Sequence, residues 1–358
     1  MGTAGATGES KKRNRRRAHR GPTIADVARE AGVSPMTVSR AINGEIRVQP
    51  YTKERVEAAV LKLGYVPNAA ARSLAGAQPC RLALVHDNPS ASWLNEVLVG
   101  CLAEASENDV QLIIERCADS ETMDALAQHL TSHRVDAVIL PPPLGDDVTL
   151  LEALDAVGLP VVLVAPGKPA ETAFAVSIDD HGAALAMTRH LVELGHRRIG
   201  FIEGNPKQTS SALRRLGYEA SLRDAGIKLD LALIVAGDFT YRSGLAATEQ
   251  LLALPERPTA IFASNDDMAA AVVAIAHRQG LDVPGALTVC GFDDTAVATT
   301  IWPELTTIRQ PINEMARLAT RIAIATVRDR ANGLLPQIRH EQLAFELVRR
   351  FSDGVPGG

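Results

Sequence analysis

One predicted helix presents a mixed polar and basic outward face, made of Pro35, Met36, Thr37, Ser39 and Arg40. The arginine fork can form two parallel hydrogen bonds with a guanine edge, and the hydroxyl groups can bind phosphate oxygens. The apolar residues between these positions recur at helical spacing and predict an inward face. The residue types and spacing on this helix therefore indicate chemistry directed at DNA bases and phosphates.

This helix is the second of two short helices that flank a tight turn at Ala31-Gly32-Val33. Thr23 is the predicted N-cap of the first helix, and Asp26, three residues later, forms a capping-box-like pair with it. Ser34 is the predicted N-cap of the second helix, and Pro35 takes its first position, where the missing N–H costs nothing. The pattern predicts a helix-turn-helix, whose second helix can enter the DNA major groove.

A third helix is predicted from Thr52 to about Leu63, where Gly64 ends it. The three helices predict a compact DNA-binding domain at residues 22–66, which is small for independent stability. Residues 67–78 follow as a hinge helix. Because a helix of this length is marginal alone in water, we expect it to form only when another contact stabilises it, which makes it a candidate switch.

The charge is divided unevenly along the chain. Residues 1–78 carry 14 Lys+Arg against 6 Asp+Glu, a net +8, and the remaining 280 residues carry 23 against 36, a net −13. A basic head on an acidic body indicates that the head, and not the body, meets a polyanion. Residues 1–21 are predicted as a disordered basic tail, either a solvated arm or a loose contact with phosphates.

Several features bear on compartment and cofactors. No apolar run reaches the length of a membrane span, and the basic run from Lys11 to Arg17 has no apolar segment behind it, so neither a membrane partner nor a signal peptide is expected. No metal or cofactor is predicted. The cysteines form no CxxC pair and are predicted to be reduced, buried thiols of a cytoplasmic protein; they are Cys80, Cys101, Cys117 and Cys290.

From Arg81 onward, short apolar runs alternate with helical patterns. This alternation predicts a parallel, doubly wound α/β core, with too many strands for one small sheet. We therefore expect two lobes over residues 79–350, with a cleft at the carboxyl ends of the strands. Residues 351–358 are predicted as a flexible tail. The predicted strands are 82–85, 111–115, 137–140, 161–164, 199–202, 233–236, 260–263, 288–291 and one near 345–349.

Short motifs in both the head and the core carry a family resemblance. In the head they are Thr23-Ile-Ala-Asp-Val-Ala28, Ala31-Gly-Val-Ser34, Thr37-Val-Ser-Arg40 and Asn43-Gly44, followed by Gly64-Tyr-Val-Pro-Asn68 and Ala71-Arg-Ser-Leu74. In the core they are Leu194-Gly-His-Arg-Arg-Ile199, Ser264-Asn-Asp266, Gly291-Phe-Asp-Asp294 and Leu305-Thr-Thr-Ile-Arg-Gln-Pro311. The combination resembles the LacI/GalR family of transcriptional regulators. It implies a homodimer with a helix-turn-helix head, a hinge helix and a two-lobed core like that of periplasmic sugar-binding proteins.

The resemblance implies DNA-contacting roles in the head and the hinge segment. The expected residues are Thr23, Ser34, Pro35, Met36, Thr37, Arg40, Asn43, Arg72 and Leu74. Among these, Pro35, Met36 and Arg40 match base-reading positions, and the hydroxyl and Asn residues match phosphate-contacting positions that fix register. Leu74 matches the hinge leucine that wedges into the minor groove. The alternative for Leu74 is a core residue that caps the hinge helix.

The resemblance also implies a ligand site in the cleft. The expected effector-binding residues are Trp93, Asp179, Arg214, Phe239, Asn265 and Asp293. Arg214 matches the position that grips ligand hydroxyls in sugar-responsive relatives, and Asn265 and Asp293 match further polar positions. The two aromatic residues match positions that pack on a sugar or base ring. Asp179 matches the acidic start of the inter-lobe segment.

Two segments at the cleft depart from the family pattern. Ala165-Pro166 replaces the common Asp-Arg dipeptide, and the loop at 88–93 lacks the usual Asn-Pro-Phe-Phe. The identity of the ligand therefore does not follow from the resemblance. Purely structural roles stay open for Trp93 as a core residue and for Asp266 and Asp294 as helix caps.

These observations predict a sequence-specific DNA-binding regulator, a repressor of a catabolic operon, that binds a palindromic operator and is controlled by a sugar or sugar derivative. Whether the ligand induces or co-represses stays open. The alternatives are an enzyme or a transport-type binding protein on the same α/β fold. No enzymatic activity is expected, because the sequence contains no G-x-S-x-G elbow, no P-loop and no G-x-G-x-x-G that opens a helix.

Overall fold

The computed structural model describes residues 22–42, 48–65, 80–117 and 122–357. The predicted basic tail (1–21), the hinge segment (67–78) with Arg72 and Leu74, and Asn43 lie outside the described residues, as does the side chain of Ile42. Residues Met1–Pro79 and Cys80–Gly358 form two compact units, which are described separately below.

The head contains the three predicted helices, α1 (Ile24–Ala31), α2 (Pro35–Ile42) and α3 (Pro50–Leu63). The Asp26 carboxylate accepts hydrogen bonds from the N–H of Thr23 at 2.9 Å and from its hydroxyl at 2.6 Å. The Ser34 hydroxyl accepts one from the N–H of Thr37 at 3.1 Å. Both helices of the helix-turn-helix are therefore held at their N-termini by the residues that the sequence indicated.

The tight turn between α1 and α2 depends on Gly32, whose φ of 65° lies in the left-handed region. Arg55 of α3 lies against this glycine and donates to the carbonyl of Ala31 at 2.5 Å, so the third helix fixes the turn. The buried core of the head consists of Val27, Ala28, Ala31, Val38, Ala41, Val56, Ala59 and Tyr65.

The second unit is built from two sheets with helices around them. Its strands are β1 (Arg81–His86), β2 (Gln111–Arg116), β3 (Ala137–Leu140), β4 (Val161–Val164), β5 (Phe174–Ser177), β6 (Ile199–Ile202), β7 (Ile234–Val235), β8 (Ala260–Ala263), β9 (Thr288–Asp293), β10 (Thr306–Arg309), β11 (His340–Gln342) and β12 (Glu346–Val348). Its α-helices are α4 (Ala91–Glu107), α5 (Met123–Ser132), α6 (Val148–Ala156), α7 (Asp180–Glu193), α8 (Thr209–Asp224), α9 (Tyr241–Leu252), α10 (Asp266–Arg278), α11 (Val297–Thr300) and α12 (Ile312–Ala331).

The two sheets define two lobes of the predicted doubly wound type. The first has the strand order β11-β5-β4-β3-β1-β2, and the second has the order β12-β10-β9-β8-β6-β7. Within the described residues, the strand pairings are parallel except for β10 with β12, which is antiparallel. The inner strands β3, β4, β8 and β9 are buried throughout, as expected for parallel strands covered on both faces. The predicted fold class is therefore confirmed.

The chain passes between the lobes more than once, which joins them through short segments. It leaves the first lobe after β5 and returns to it after β10, where α12 packs against α4 and against β3, β4 and β5. It then adds β11 to the first sheet and β12 to the second. No helix in the described ranges is long and apolar enough to cross a membrane.

Three observed strands were not among the predicted ones, namely β5, β10 and β11. The sequence of β10 is Thr-Thr-Ile-Arg, whose polar residues do not suggest a buried strand. Thr306 and Thr307 are nevertheless fully buried, because their hydroxyls donate to the carboxylates of Asp353 and Asp266. A buried hydroxyl that donates to a buried acceptor avoids the free-energy cost of an unpaired polar group, so a polar sequence can form a buried strand.

The prediction of a flexible tail at 351–358 is wrong for residues 351–357. The Ser352 hydroxyl accepts from the N–H of Thr306 at 2.9 Å and donates to the carbonyl of Val289 at 2.6 Å. Asp353 accepts from the hydroxyl of Thr306 at 2.5 Å and is paired with Nε2 of His190 at 2.7 Å. These hydrogen bonds join the C-terminal segment to residues far away in sequence, so no local sequence pattern predicts them.

We expect Asp353→Ala to lower the free energy of unfolding by about 2–4 kcal/mol, because Thr306 and His190 lose a buried acceptor. Burial alone would raise the pKa of Asp353, but hydrogen bonds from His190 and Thr306 lower it below its usual value. The stabilisation should therefore be lost as the pH falls through the folded pKa. Urea unfolding at a fixed protein concentration measures the effect, with the exposed Glu171→Ala as control; an equal change in both variants contradicts it.

Candidate functional site

The outward face of α2 presents the predicted DNA-contacting side chains to solvent. Pro35, Met36 and Arg40 are exposed, with Met36 at 64%. Thr23 and Ser34 are exposed at the helix N-termini, and the Ser34 hydroxyl lies 2.9 Å from that of Thr37, which is half-buried. This part of the head thus combines an exposed helix face with hydroxyl groups at its edge, an arrangement that allows contacts to both bases and phosphates. Asn43, Arg72 and Leu74 lie outside the described residues.

A second candidate site lies between the two lobes of the core. It is a cavity formed by segments following the carboxyl ends of strands in both sheets, as predicted for this class of fold. Its lining comprises Asn88, Ser90, Trp93, Pro142, Ala165, Gln208, Ser210, Arg214, Phe239, Asn265, Asp293 and Gln310. Five of the six predicted effector-binding residues therefore line one cavity, and Asp179 does not.

Arg214 of α8 is the buried charged centre of this cavity. Its Nε donates to the carboxylate of Asp180 at 2.8 Å, its Nη1 donates to the carbonyl of Ser264 at 2.6 Å, and Asp293 lies 3.6 Å from Nη1. The guanidinium also lies 3.6 Å above the centre of the Phe292 ring. Because a buried charge is tolerated only when it is paired and hydrogen-bonded, these contacts fix the side chain in one position.

Asp293 ends β9 and faces Arg214 across the cavity wall. Burial raises its pKa to about 7, although Arg214 and a hydrogen bond from the Gln310 amide at 2.5 Å act in the opposite direction. Burial likewise raises the pKa of Asp180 against the effect of Arg214. One guanidinium is thus shared between two buried carboxyls, and burial acts against its effect on the pKa of both.

Asn265 and the aromatic residues shape the rest of the wall. The Asn265 side chain caps α10 by accepting from the N–H of Met268 at 3.0 Å, and its Nδ2 donates to the carbonyl of Phe239 at 2.9 Å. Trp93 packs in the hydrophobic core and also lines the cavity. It therefore has both the structural role and the predicted position in the lining. These residues give the cavity two apolar walls beside its polar groups.

Three lining residues that are not glycine adopt positive φ angles: Ala165 at 52°, Phe239 at 70° and Asp293 at 110°. Such conformations cost on the order of 1–3 kcal/mol each and persist only where surrounding contacts impose them. Phe239 is held by Gly204, where an added Cβ would lie 2.0 Å from the phenylalanine ring. The strain is concentrated at the cavity, which is typical of a functional site.

The predicted acidic residue of the inter-lobe segment is displaced by one position. Asp179 is exposed and caps α7, accepting from the N–H of Gly182 at 2.8 Å, whereas the buried Asp180 pairs with Arg214. The helix-cap alternative is wrong for Asp266 and Asp294. Asp266 accepts from Thr307 and Thr295, and Asp294 pairs with Arg309 and Arg350.

Two glutamines that the sequence interpretation did not assign are the most informative residues of the cavity. Gln208 and Gln310 are 5% and 3% exposed, yet Nε2 of Gln208 and Oε1 of Gln310 have no hydrogen-bond partner among the described residues. Buried polar atoms are normally paired, so an unpaired donor and an unpaired acceptor in one cavity indicate room for a polar ligand. Gln310 lies within the motif from Leu305 to Pro311, but Gln208, just before α8, lies in no motif that indicates a binding site.

Comparison with known proteins finds a family match for the head and another for the core. Residues 23–68 match the bacterial regulatory proteins of the lacI family, and residues 188–352 match the periplasmic binding protein-like domain. The catabolite control protein A of Priestia megaterium is 34% identical over 304 residues, which cover 84% of this chain and 91% of that relative. The HTH-type transcriptional regulator CelR of Thermobifida fusca is 36% identical over 312 residues, which cover 85% and 92%.

Solved structures show the same architecture. The transcriptional regulator CelR–cellobiose complex superposes with a TM-score of 0.70 and 32% identity, covering 93% of this chain and 100% of that one. The lac repressor dimer bound to operator and the anti-inducer ONPF gives a TM-score of 0.71 and 26% identity, covering 93% and 99%. This chain belongs to the LacI family of DNA-binding transcriptional regulators, which are not enzymes.

We expect the free energy of unfolding of the parent, measured relative to Asp293→Asn, to decrease as the pH rises from 5 to about 7. The folded carboxyl has a raised pKa and binds a proton more tightly than the unfolded one, so the folded state is favoured at lower pH. The amide mimics the protonated form and does not titrate. Urea unfolding at several pH values measures the difference, with the exposed Asp155→Asn as control. A difference that stays constant across this range contradicts the assignment.

Proposed function

We propose that this regulator binds a palindromic operator as a homodimer and represses transcription of a catabolic operon under the control of a neutral sugar in the inter-lobe cavity. The observation that carries the ligand assignment is the pair of buried, unpartnered amide atoms on Gln208 and Gln310. Hydroxyl groups of a ligand can accept from the first atom and donate to the second.

The charge arrangement favours a neutral ligand over an anionic one. Within the described lining, Arg214 is the basic residue, and its guanidinium is already shared by Asp180 and Asp293. A phosphate or carboxylate placed there would compete with these carboxyls and would add negative charge to a buried acidic cluster. The aromatic walls of Trp93 and Phe239 suit the apolar face of a sugar ring. The CelR–cellobiose complex supports a sugar by similarity.

The exposed face of α2 supports the DNA-binding part of the proposal. A dimer with twofold symmetry presents two equivalent reading helices and so matches two halves of a palindrome. The lac repressor dimer bound to operator supports this assembly by similarity. Pro35 and Met36 replace the polar pair common in the family, so we propose a half-site that differs at the bases they face.

We expect Arg40→Ala and Arg40→Lys to weaken specific binding by about 5- to 150-fold, because a bidentate arginine–guanine pair contributes about 1–3 kcal/mol. The lysine keeps the charge and loses the planar fork, so its affinity for random DNA should match that of the parent. Gel-shift titration on a palindrome selected from a randomised library measures both affinities. Parental affinity for the selected site in both variants would remove Arg40 from base reading.

We expect Gln208→Leu to reduce sugar affinity at least tenfold without lowering the melting temperature of the ligand-free protein, because the change removes an amide that has no partner. Thermal-shift titration measures both effects, using the sugar that gives the largest shift in a screen of monosaccharides and disaccharides that includes cellobiose. The exposed Lys228→Leu is the control. An unchanged ligand shift in Gln208→Leu would place the ligand elsewhere.

A further inference from the structure

The loop that follows β4 contacts the start of α8 across the cleft at unusually short range. A Cβ added to Gly167 would lie 2.2 Å from the backbone nitrogen of Ser210 and 2.5 Å from the carbonyl carbon of Thr209. Real side chains do not approach backbone this closely. Gly167 does not have a positive φ, so glycine is needed at this point for space and not for conformation.

The same contact supplies the cap that α8 lacks. Gln208 occupies the N-cap position, but its side chain makes no capping bond within the described chain. Asp146 of the first lobe takes over this role: its carboxylate accepts from the N–H of Thr209 at 3.1 Å and from the Thr209 hydroxyl at 2.6 Å. The N–H of Lys168 donates to the same hydroxyl at 2.9 Å. A carboxylate at a helix N-terminus also interacts favourably with the helix dipole.

A second contact joins the lobes through the loop after β1 and the first turn of α10. There the Asp267 carboxylate of the second lobe accepts from the hydroxyls of Ser90 and Ser92 at 2.6 Å and 3.2 Å. Ser90 caps α4, which carries Trp93, and it lines the cavity itself. Each contact therefore places a carboxylate of one lobe on hydroxyl groups of the other, next to residues of the cavity wall.

We propose that Asp146, Gly167 and Thr209 form a closure latch, in which the first lobe caps α8 of the second and thereby holds the cavity closed. The first contribution is the hydrogen bonds of Thr209, and the second is the backbone approach that only glycine permits. Because Gln208 and Ser210 lie on or beside the start of α8, closing the latch positions two cavity residues at once. The latch extends the proposed function, since it gives the ligand site its closed form, but its test needs no ligand.

Trp93 reports the state of the cavity. The chain contains two tryptophans; Trp93 is 5% exposed and lines the cavity, and Trp302 is 73% exposed. In a Trp302→Phe background, acrylamide quenching of fluorescence therefore measures access to the cavity wall. Adding Gly167→Val should at least double the quenching constant, because the new side chain cannot fit against Ser210. Lys168→Val changes the neighbouring residue and keeps its backbone bond, so it should leave quenching unchanged.

Thr209→Val provides a test that does not depend on steric overlap. It removes the hydroxyl that donates to Asp146 and accepts from Lys168, keeps the side-chain volume, and should raise the quenching constant by a smaller amount than Gly167→Val. Circular dichroism establishes whether each variant is folded. If Gly167→Val does not fold, Thr209→Val alone tests the latch. Quenching equal to that of Lys168→Val in the folded variants overturns the latch. Because the quenching assay contains no ligand, it can contradict the latch without contradicting the proposed sugar binding. Ligand titration can likewise contradict sugar binding without contradicting the latch.

Discussion

The buried guanidinium of Arg214 is the interaction on which the geometry of the core depends. It joins Asp180 at the start of α7, the carbonyl of Ser264 after β8 and Asp293 at the end of β9, so one side chain ties together three points of the second lobe. Truncating it would leave two buried carboxyls without their cation, a change that typically costs several kcal/mol. Arg214 is therefore as much a structural residue as a ligand residue, and loss of function on its removal would not distinguish these roles.

This ion cluster also determines which part of the cavity is free to recognise a ligand. The charges satisfy one another, and in the described lining the buried side-chain atoms without a partner are Nε2 of Gln208 and Oε1 of Gln310. A hydroxyl that pairs with an amide gains little charge energy but relieves the penalty of a buried unpaired polar atom, which is how hydrogen-bonding sites reject analogues that lack the group. The proposed selectivity for neutral polyols thus rests on an arginine that is already occupied.

Much of the fold could be predicted because its signals are local: capping residues for α1 and α2, and apolar runs for the central strands. The failures share one physical cause, contact between residues distant in sequence. Thr306 and Thr307 form a buried strand because Asp353 and Asp266 accept their hydroxyls, and the same Asp353 anchors a segment with the composition of a free tail. The resemblance indicates Asp179, but Asp180 pairs with Arg214, because which of two neighbouring carboxylates faces the arginine depends on the fold. Gln208 was missed because an unpaired atom is a property of the folded environment.

The N-terminus of α8 links the ligand cavity to the contact between the lobes. A helix that lacked its own N-cap would fray and would hold Ser210 loosely. Here the cap comes from Asp146 of the other lobe, so the order of the cavity wall depends on how the lobes meet. A ligand that bridges Gln208 and Gln310 can shift the lobe equilibrium only as far as it binds the closed form better than the open one. In the proposed latch, residues that hold α8 against the first lobe change the fraction of closed protein, and residues that contact the ligand change its affinity for the closed form; substitutions in either set should therefore change the apparent ligand affinity.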